Sequence, residues 1–97
     1  MRLADEVEIL RAPWTAPVVV ATLPAEVHYT TVAQITTDGR NALVEELRCI
    51  IEPYDYDALA SRIRWRGEMY ENEGPPMVRR FKGEDHHLTI SLRRVTG

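Results

Sequence analysis

Apolar residues in this chain recur at a spacing of two rather than the roughly 3.6 of a helix, and a period of two is buried efficiently only on a pleated sheet. In PAEVHYTTVAQIT, Val27, Tyr29, Thr31, Ala33 and Ile35 fall on one face, while Glu26, His28, Thr30, Gln34 and Thr36 fall on the other. In LTISLRRV, Leu88, Ile90 and Leu92 alternate with Thr89, Ser91 and Arg93. Within SRIRWRGEMYEN the inward set is Ile63 and Trp65 and the outward set Arg62, Arg64 and Arg66. Gly67 supplies the positive φ of a tight turn, and Met69 to Glu71 begins a return strand, so this stretch predicts a hairpin.

Two shorter strands are predicted at Glu6 to Leu10 and Val18 to Leu23, separated by the Pro13 to Pro17 punctuation that breaks both ladders and helices. Ala42 to Ile51 is ambiguous by composition. Its Ala, Leu and Glu favour a helix, but Val44, Ile50 and the Leu47/Cys49/Ile51 alternation ending before Pro53 favour a strand, which is the assignment adopted. In YDYDALAS, Asp55 or Asp57 can cap one helical turn. The sum is an all-β domain over residues 1–97, a small barrel or sandwich of about six or seven short antiparallel strands with at most one short helix.

Size and charge narrow the function classes. A chain of 97 residues is expected to form one domain around one core. With 12 Lys+Arg against 15 Asp+Glu the net charge is −3, which lacks the basic balance that nucleic-acid binding rewards. The single Cys49 leaves no intrachain disulfide and reads as a small buried apolar residue. The opening MRLADEVEILRAP has no apolar run suited to a signal peptide, and no stretch approaches a membrane span, so a soluble, unexported protein is expected.

No residue group points to catalysis, and no cofactor or metal is expected. His86 and His87, after Glu84 and Asp85, are the one metal-like cluster; neighbours on a strand point to opposite faces, so a solvated turn entering the last strand is the simpler reading. Asp55 and Asp57 read as a polar loop rather than an acid–base pair. Arg62, Arg64 and Arg66 on one strand, with Arg79, Arg80 and Lys82 in a nearby loop, make a local basic patch or pair across the sheet with Glu68, Glu71 and Glu73. Cross-strand pairing is favoured. A small nucleic-acid-binding barrel using the Arg62/Arg64/Arg66 face with Trp65 stays open as the alternative.

The order of elements in the C-terminal half resembles the head-to-tail stopper, or head-closure, proteins of long-tailed bacteriophages, especially those infecting actinobacteria. In that family a hairpin of the form R-G-x-x-Y-E-x-x-G-x-P precedes a terminal strand close to V-x-L-x-R-V-x-G. The matching positions are Arg66, Gly67, Tyr70, Glu71, Gly74 and Pro76, then Leu92, Arg94, Val95 and Gly97. The opening EVEILRAP is similar to the family's first strand, and Asn72 stands where a β-branched residue is usual. The resemblance implies a virion structural protein of the phage neck, assembled in the host cytoplasm. Copies form a ring, hexameric or alternatively dodecameric, below the portal and adaptor proteins. The ring retains packaged DNA without sequence specificity and offers a face to the tail-terminator or tail-tube protein, with no membrane involved. The implied channel loop is Thr37, Asp38, Gly39 and Arg40, and the implied interface residues are Arg62, Arg64, Arg66, Arg79, Arg80 and Lys82.

Overall fold

The computed structural model describes residues 3–96, with the side chains of all of these except Thr37, Phe81 and Asp85. Gly97, the last position of the resemblance, lies outside the described residues. The chain is all-β. Its strands are β1 (Asp5–Arg11), β2 (Val18–Thr37), β3 (Arg40–Ile51), β4 (Ser61–Trp65), β5 (Glu68–Asn72), β6 (Met77–Phe81) and β7 (Glu84–Thr96). All pair antiparallel, in the order β3-β2-β1-β4-β5-β7-β6, and β3 pairs with β7 as well. That last pairing closes β1-β2-β3-β7-β5-β4 into a barrel and leaves β6 outside the closed circuit, hydrogen-bonded to the first half of β7.

The stretch expected as two strands, Val18 to Leu23 and Val27 to Ile35, is one strand of 20 residues that runs through Pro24. Proline interrupts a ladder only where its missing N–H is needed. Here β2 pairs with β1 up to Ala25, and β3 joins on the other side only from Ala25 onward, so Pro24 sits where one edge of β2 is unpaired. Two register shifts bend this long strand. Ile9 faces Ala21 and Leu10 faces Val19, leaving Val20 extra; Tyr29 faces Leu47 and Thr31 faces Glu46, leaving Thr30 extra. Bulges of this kind bend and twist a strand, which lets β2 wrap the barrel and then leave it.

Ala42 to Ile51 is strand, within β3. Among the described residues the segment near Asp55 forms a single turn and no helix. Two further expectations are corrected. Arg79 and Arg80 belong to β6 rather than a loop, and His86 and His87 belong to β7 rather than the turn before it, which is Lys82–Gly83. The charge of MVRRF hides it from an apolar-periodicity reading, yet its backbone pairs with β7 from Met77↔Thr89 to Phe81↔Glu84.

The core forms where inward positions of opposite walls meet. Ile63, Trp65, Leu88, Ile90 and Leu92 are buried, as the alternation predicts, and Leu47, Cys49 and Ile51 lie across the β3–β7 ladder from Leu92, Ile90 and Leu88. Burial pushes the Cys49 thiol up to about 12, so it stays protonated as one more apolar group of the interior.

The β3–β7 ladder runs from Leu43↔Thr96 to Ile51↔Leu88, and each strand overshoots it at the opposite end: β3 through Arg40–Ala42, β7 through Glu84–His87. At roughly 3.3 Å per residue this staggered pair accounts for the long dimension of a molecule measuring 51 × 28 × 23 Å. A hairpin therefore stands at each pole. The wall assignment is checked by replacing Trp65 with alanine, which removes a large buried aromatic and is expected to cost about 3–5 kcal/mol in equilibrium unfolding. Arg64→Ala, on the outer face of the same strand, is expected to cost far less; the reverse order would mean that the faces are inverted.

Candidate functional site: the projecting hairpin and the arginine strand

The β2–β3 hairpin extends past the barrel because β1 stops pairing with β2 at Ala25, while β3 follows it to Thr37↔Arg40. Its turn is Asp38–Gly39, with φ of 51° and 73°. Left-handed conformation at both central residues is the two-residue turn whose twist matches that of the flanking strands. Cross-strand support at the tip comes from the Thr36 hydroxyl, which donates to Asn41 Oδ1 at 2.8 Å. Asp38, Gly39 and Arg40 are exposed at this pole; the Thr37 side chain lies outside the described residues.

The bulge at Thr30 changes which side chains share a face. Val27 and Tyr29 lie opposite Cys49 and Leu47 on the core-facing side, but beyond the bulge Val32 and Gln34 take that side, opposite Glu45 and Leu43. Thr31, Ala33 and Ile35 pass to the other side, opposite Glu46, Val44 and Ala42. The single face expected for Val27 through Ile35 is thus split, because one extra residue inverts every side chain after it.

A polar and aromatic collar anchors the base of this arm. The Tyr29 ring meets the Trp65 ring edge-on at 5.7 Å, and Trp65 contacts Tyr70 at 6.3 Å. The Tyr70 hydroxyl donates to Glu45 Oε2 at 3.1 Å. Arg94 bridges Glu45, at 3.6 Å, and Glu68, at 2.8 Å. Burial, reinforced by the nearby Glu45 carboxylate, pushes the Tyr70 hydroxyl up to about 12, so it remains a donor. Glu45 was not singled out from sequence, and Arg94 only as a position of the resemblance, without this role. Their signal was phase: Glu45 shares the inward face with Leu47, and Arg94 shares it with Leu92, so each needed a partner of opposite charge.

Arg62 and Arg64 lie on β4, while Arg66, expected on the same strand, opens the turn to β5; each already has a carboxylate. Arg64 donates twice to Glu8, at 2.7 and 3.2 Å, which holds the Glu8 carboxyl below its ordinary value through the hydrogen bond and the guanidinium charge, and raises Arg64 in turn. Arg62 lies 3.3 Å from Glu71 and stacks over Trp14 at 4.3 Å. Arg66 lies 3.9 Å from Asp5 and stacks over Trp65 at 4.5 Å. Of the expected acceptors only Glu71 serves this strand. The others come from β1, because β1 flanks β4 with Glu8 directly opposite Arg64. Arg79, Arg80 and Lys82 belong to the β6–β7 hairpin at the other pole from Asp38, so the candidate residues do not form one patch.

Asp57 and Asn72 make hydrogen bonds that serve the fold. Asp57 Oδ1 accepts from the Leu59 and Ala60 amides at 3.0 and 3.3 Å and so caps the turn. Asn72 pins this loop to the barrel: its Nδ2 donates to the carbonyls of Ala58 at 2.9 Å and Ser61 at 2.7 Å, and its Oδ1 accepts from the buried Tyr56 hydroxyl. His86 is the extra residue of a third bulge, between Arg79↔His87 and Arg80↔Asp85. The bulge brings the two Nδ1 atoms to 2.9 Å, where strict alternation would have parted them. Among the described residues no three His, Cys, Asp or Glu side chains gather as a metal site would require.

Comparison with known proteins returns no matching family model, and no curated protein or solved structure with significant similarity to the chain.

Replacing Asn72 by valine is expected to leave the Tyr56 hydroxyl and two carbonyls without their partner, costing roughly 1–3 kcal/mol and speeding proteolysis between Glu52 and Ala60. Unchanged stability and cleavage would remove Asn72 from this role. The imidazole of His87 is lowered by burial, by His86 and by Arg79. A histidine with a depressed folded value loses stability as pH falls below the unfolded value of about 6.5. An NMR titration of His87 should therefore show a midpoint below that value, with the β6–β7 hairpin loosening on acidification.

Proposed function

We propose that the chain is a virion structural protein of a bacteriophage neck, a head-to-tail connector of the stopper type. Copies form a ring below the portal and adaptor, retain the packaged genome and dock the tail. The observation that carries this reading is the β2–β3 arm: a long hairpin that leaves a closed barrel and ends in the exposed polar turn Asp38–Gly39–Arg40. In a ring of such barrels, arms directed at the axis would bring Asp38 and Arg40 of successive copies to the DNA path, where Arg40 can meet phosphates or a neighbouring Asp38. The net charge of −3 suits a channel through which DNA passes without adhering.

The positions that carry the resemblance also have structural work in this barrel, which supports reading them together. Arg66 and Gly67 form the left-handed β4–β5 turn, and Gly74 is left-handed as well. Tyr70 and Arg94 meet at Glu45, Glu71 meets Arg62, and Leu92 is in the core. The alternative of a nucleic-acid-binding barrel loses support, since Arg62, Arg64 and Arg66 already face carboxylates of their own chain.

The reading is tested in the phage that encodes the chain. The protein is expected to copurify with DNA-filled, tailless heads. Replacing Asp38 and Arg40 by alanine should leave thermal unfolding nearly unchanged, while filled heads lose their genome before tails attach. Absence of the chain from purified heads would overturn the connector assignment. Full heads and normal infectivity in the double mutant would move the plug away from this arm, first to the MVRRFKGEDHH hairpin at the other pole.

A further inference from the structure

Soluble proteins guard their unpaired strand edges with charge, proline or cover. β6, the outermost strand, follows that rule, with Arg79 and Arg80 on the strand and Pro75 and Pro76 just before it. β2 does not. Among the described residues, from Val18 to Pro24 it has β1 on one side and no ladder partner on the other, and from Glu26 to Thr37 it has β3 on one side and none where β1 had been. One strand thus presents two bare edges, on opposite sides and offset along its length. Within these edges the stretches VVVATL and, beyond Glu26 and His28, YTTVAQITT contain no charged residue and are dominated by β-branched side chains. Val18, Val20, Val32 and Ile35 are 44–58% exposed along them.

We propose that these two edges are the halves of one contact, in which the Tyr29–Thr37 edge of one copy adds as a strand to the Val18–Leu23 edge of a second copy of this chain. The occupant is a second copy because the chain itself carries both a bare edge and a bare strand of the same uncharged, β-branched chemistry. Each would satisfy the backbone groups that the other leaves open, as strand addition does in general. A copy that gives its arm to one neighbour keeps its own Val18–Leu23 edge free for the next, so the contact is head-to-tail and repeats until a ring closes. The setting of the ring in a phage neck rests on the preceding reading; the contact itself does not.

Sedimentation velocity of the full-length chain over a wide concentration range tests it, with Val20→Lys and Val32→Lys placing an edge-blocking charge on each half. Both sites are exposed, and thermal unfolding checks that the variants stay folded; Val18→Lys and Ile35→Lys replace them if either does not. The wild type is expected to form assemblies larger than a dimer, while each variant alone stays monomeric at concentrations at least tenfold higher. An equimolar mixture of the two variants should give heterodimers, because one intact arm and one intact edge remain. A wild type that is monomeric throughout overturns the proposal, as does assembly indifferent to both lysines. Loss of assembly in Val32→Lys alone, with Val20→Lys assembling normally, would indicate a symmetric arm-to-arm pairing and also overturn it. A chain that copurifies with heads but fails here loses only this contact; one that assembles as stated but is absent from heads loses only the connector reading.

Discussion

The pairing of β3 with β7 is the constraint on which the rest of the molecule depends. Without it the strands would form an open ribbon with two long edges; with it, Leu47, Cys49 and Ile51 are set against Leu92, Ile90 and Leu88, and a closed wall encloses them. The other side of β7 is held to the barrel by much less, two paired positions with β5 and the Glu73 amide bonded to the Ser91 carbonyl at 2.8 Å. The Arg94 bridge between Glu45 and Glu68 spans both sides of β7 and reinforces that short seam. The stagger of the same ladder also places one hairpin at each pole, so core formation and the projection of the arm are consequences of one register.

Alternation made most of the barrel legible. Leu88, Ile90 and Leu92 against Thr89, Ser91 and Arg93, and Ile63 and Trp65 against the three arginines, fix both the strand and its buried face, because a period of two has one physical interpretation when one side must be dry. Irregularities were not legible, since a bulge is a property of two strands in register and leaves no mark on one of them alone. The extra residues Val20, Thr30 and His86 are of this kind. They explain how the long β2 bends, why the face of Val27 and Tyr29 is not that of Ile35, and why two consecutive histidines touch.

Charge partners were half legible for a related reason. Arg62 and Glu71 belong to one hairpin, so proximity in sequence suggested the pair; Glu8 and Asp5 reach Arg64 and Arg66 from β1, and nothing local announces that β1 flanks β4. At the candidate site the tip residues Asp38, Gly39 and Arg40 were named through the resemblance, which places a channel loop at this polar turn. The length of the arm that carries them was not legible, because it depends on where β1 stops pairing with β2. Its uncharged flank becomes informative only once the fold shows that this flank is an edge.

The structure is a barrel closed by the β3–β7 wall, with a projecting arm that is polar at its tip and uncharged along its Tyr29–Thr37 edge. The proposed connector role is tested most directly by electron cryo-microscopy of phage necks containing the chain. It predicts a ring of small β-barrels below the portal and adaptor, each sending the Tyr29–Asn41 hairpin toward the channel axis. A neck without this barrel, or a ring in which the hairpin points away from both the axis and the neighbouring copies, would contradict it.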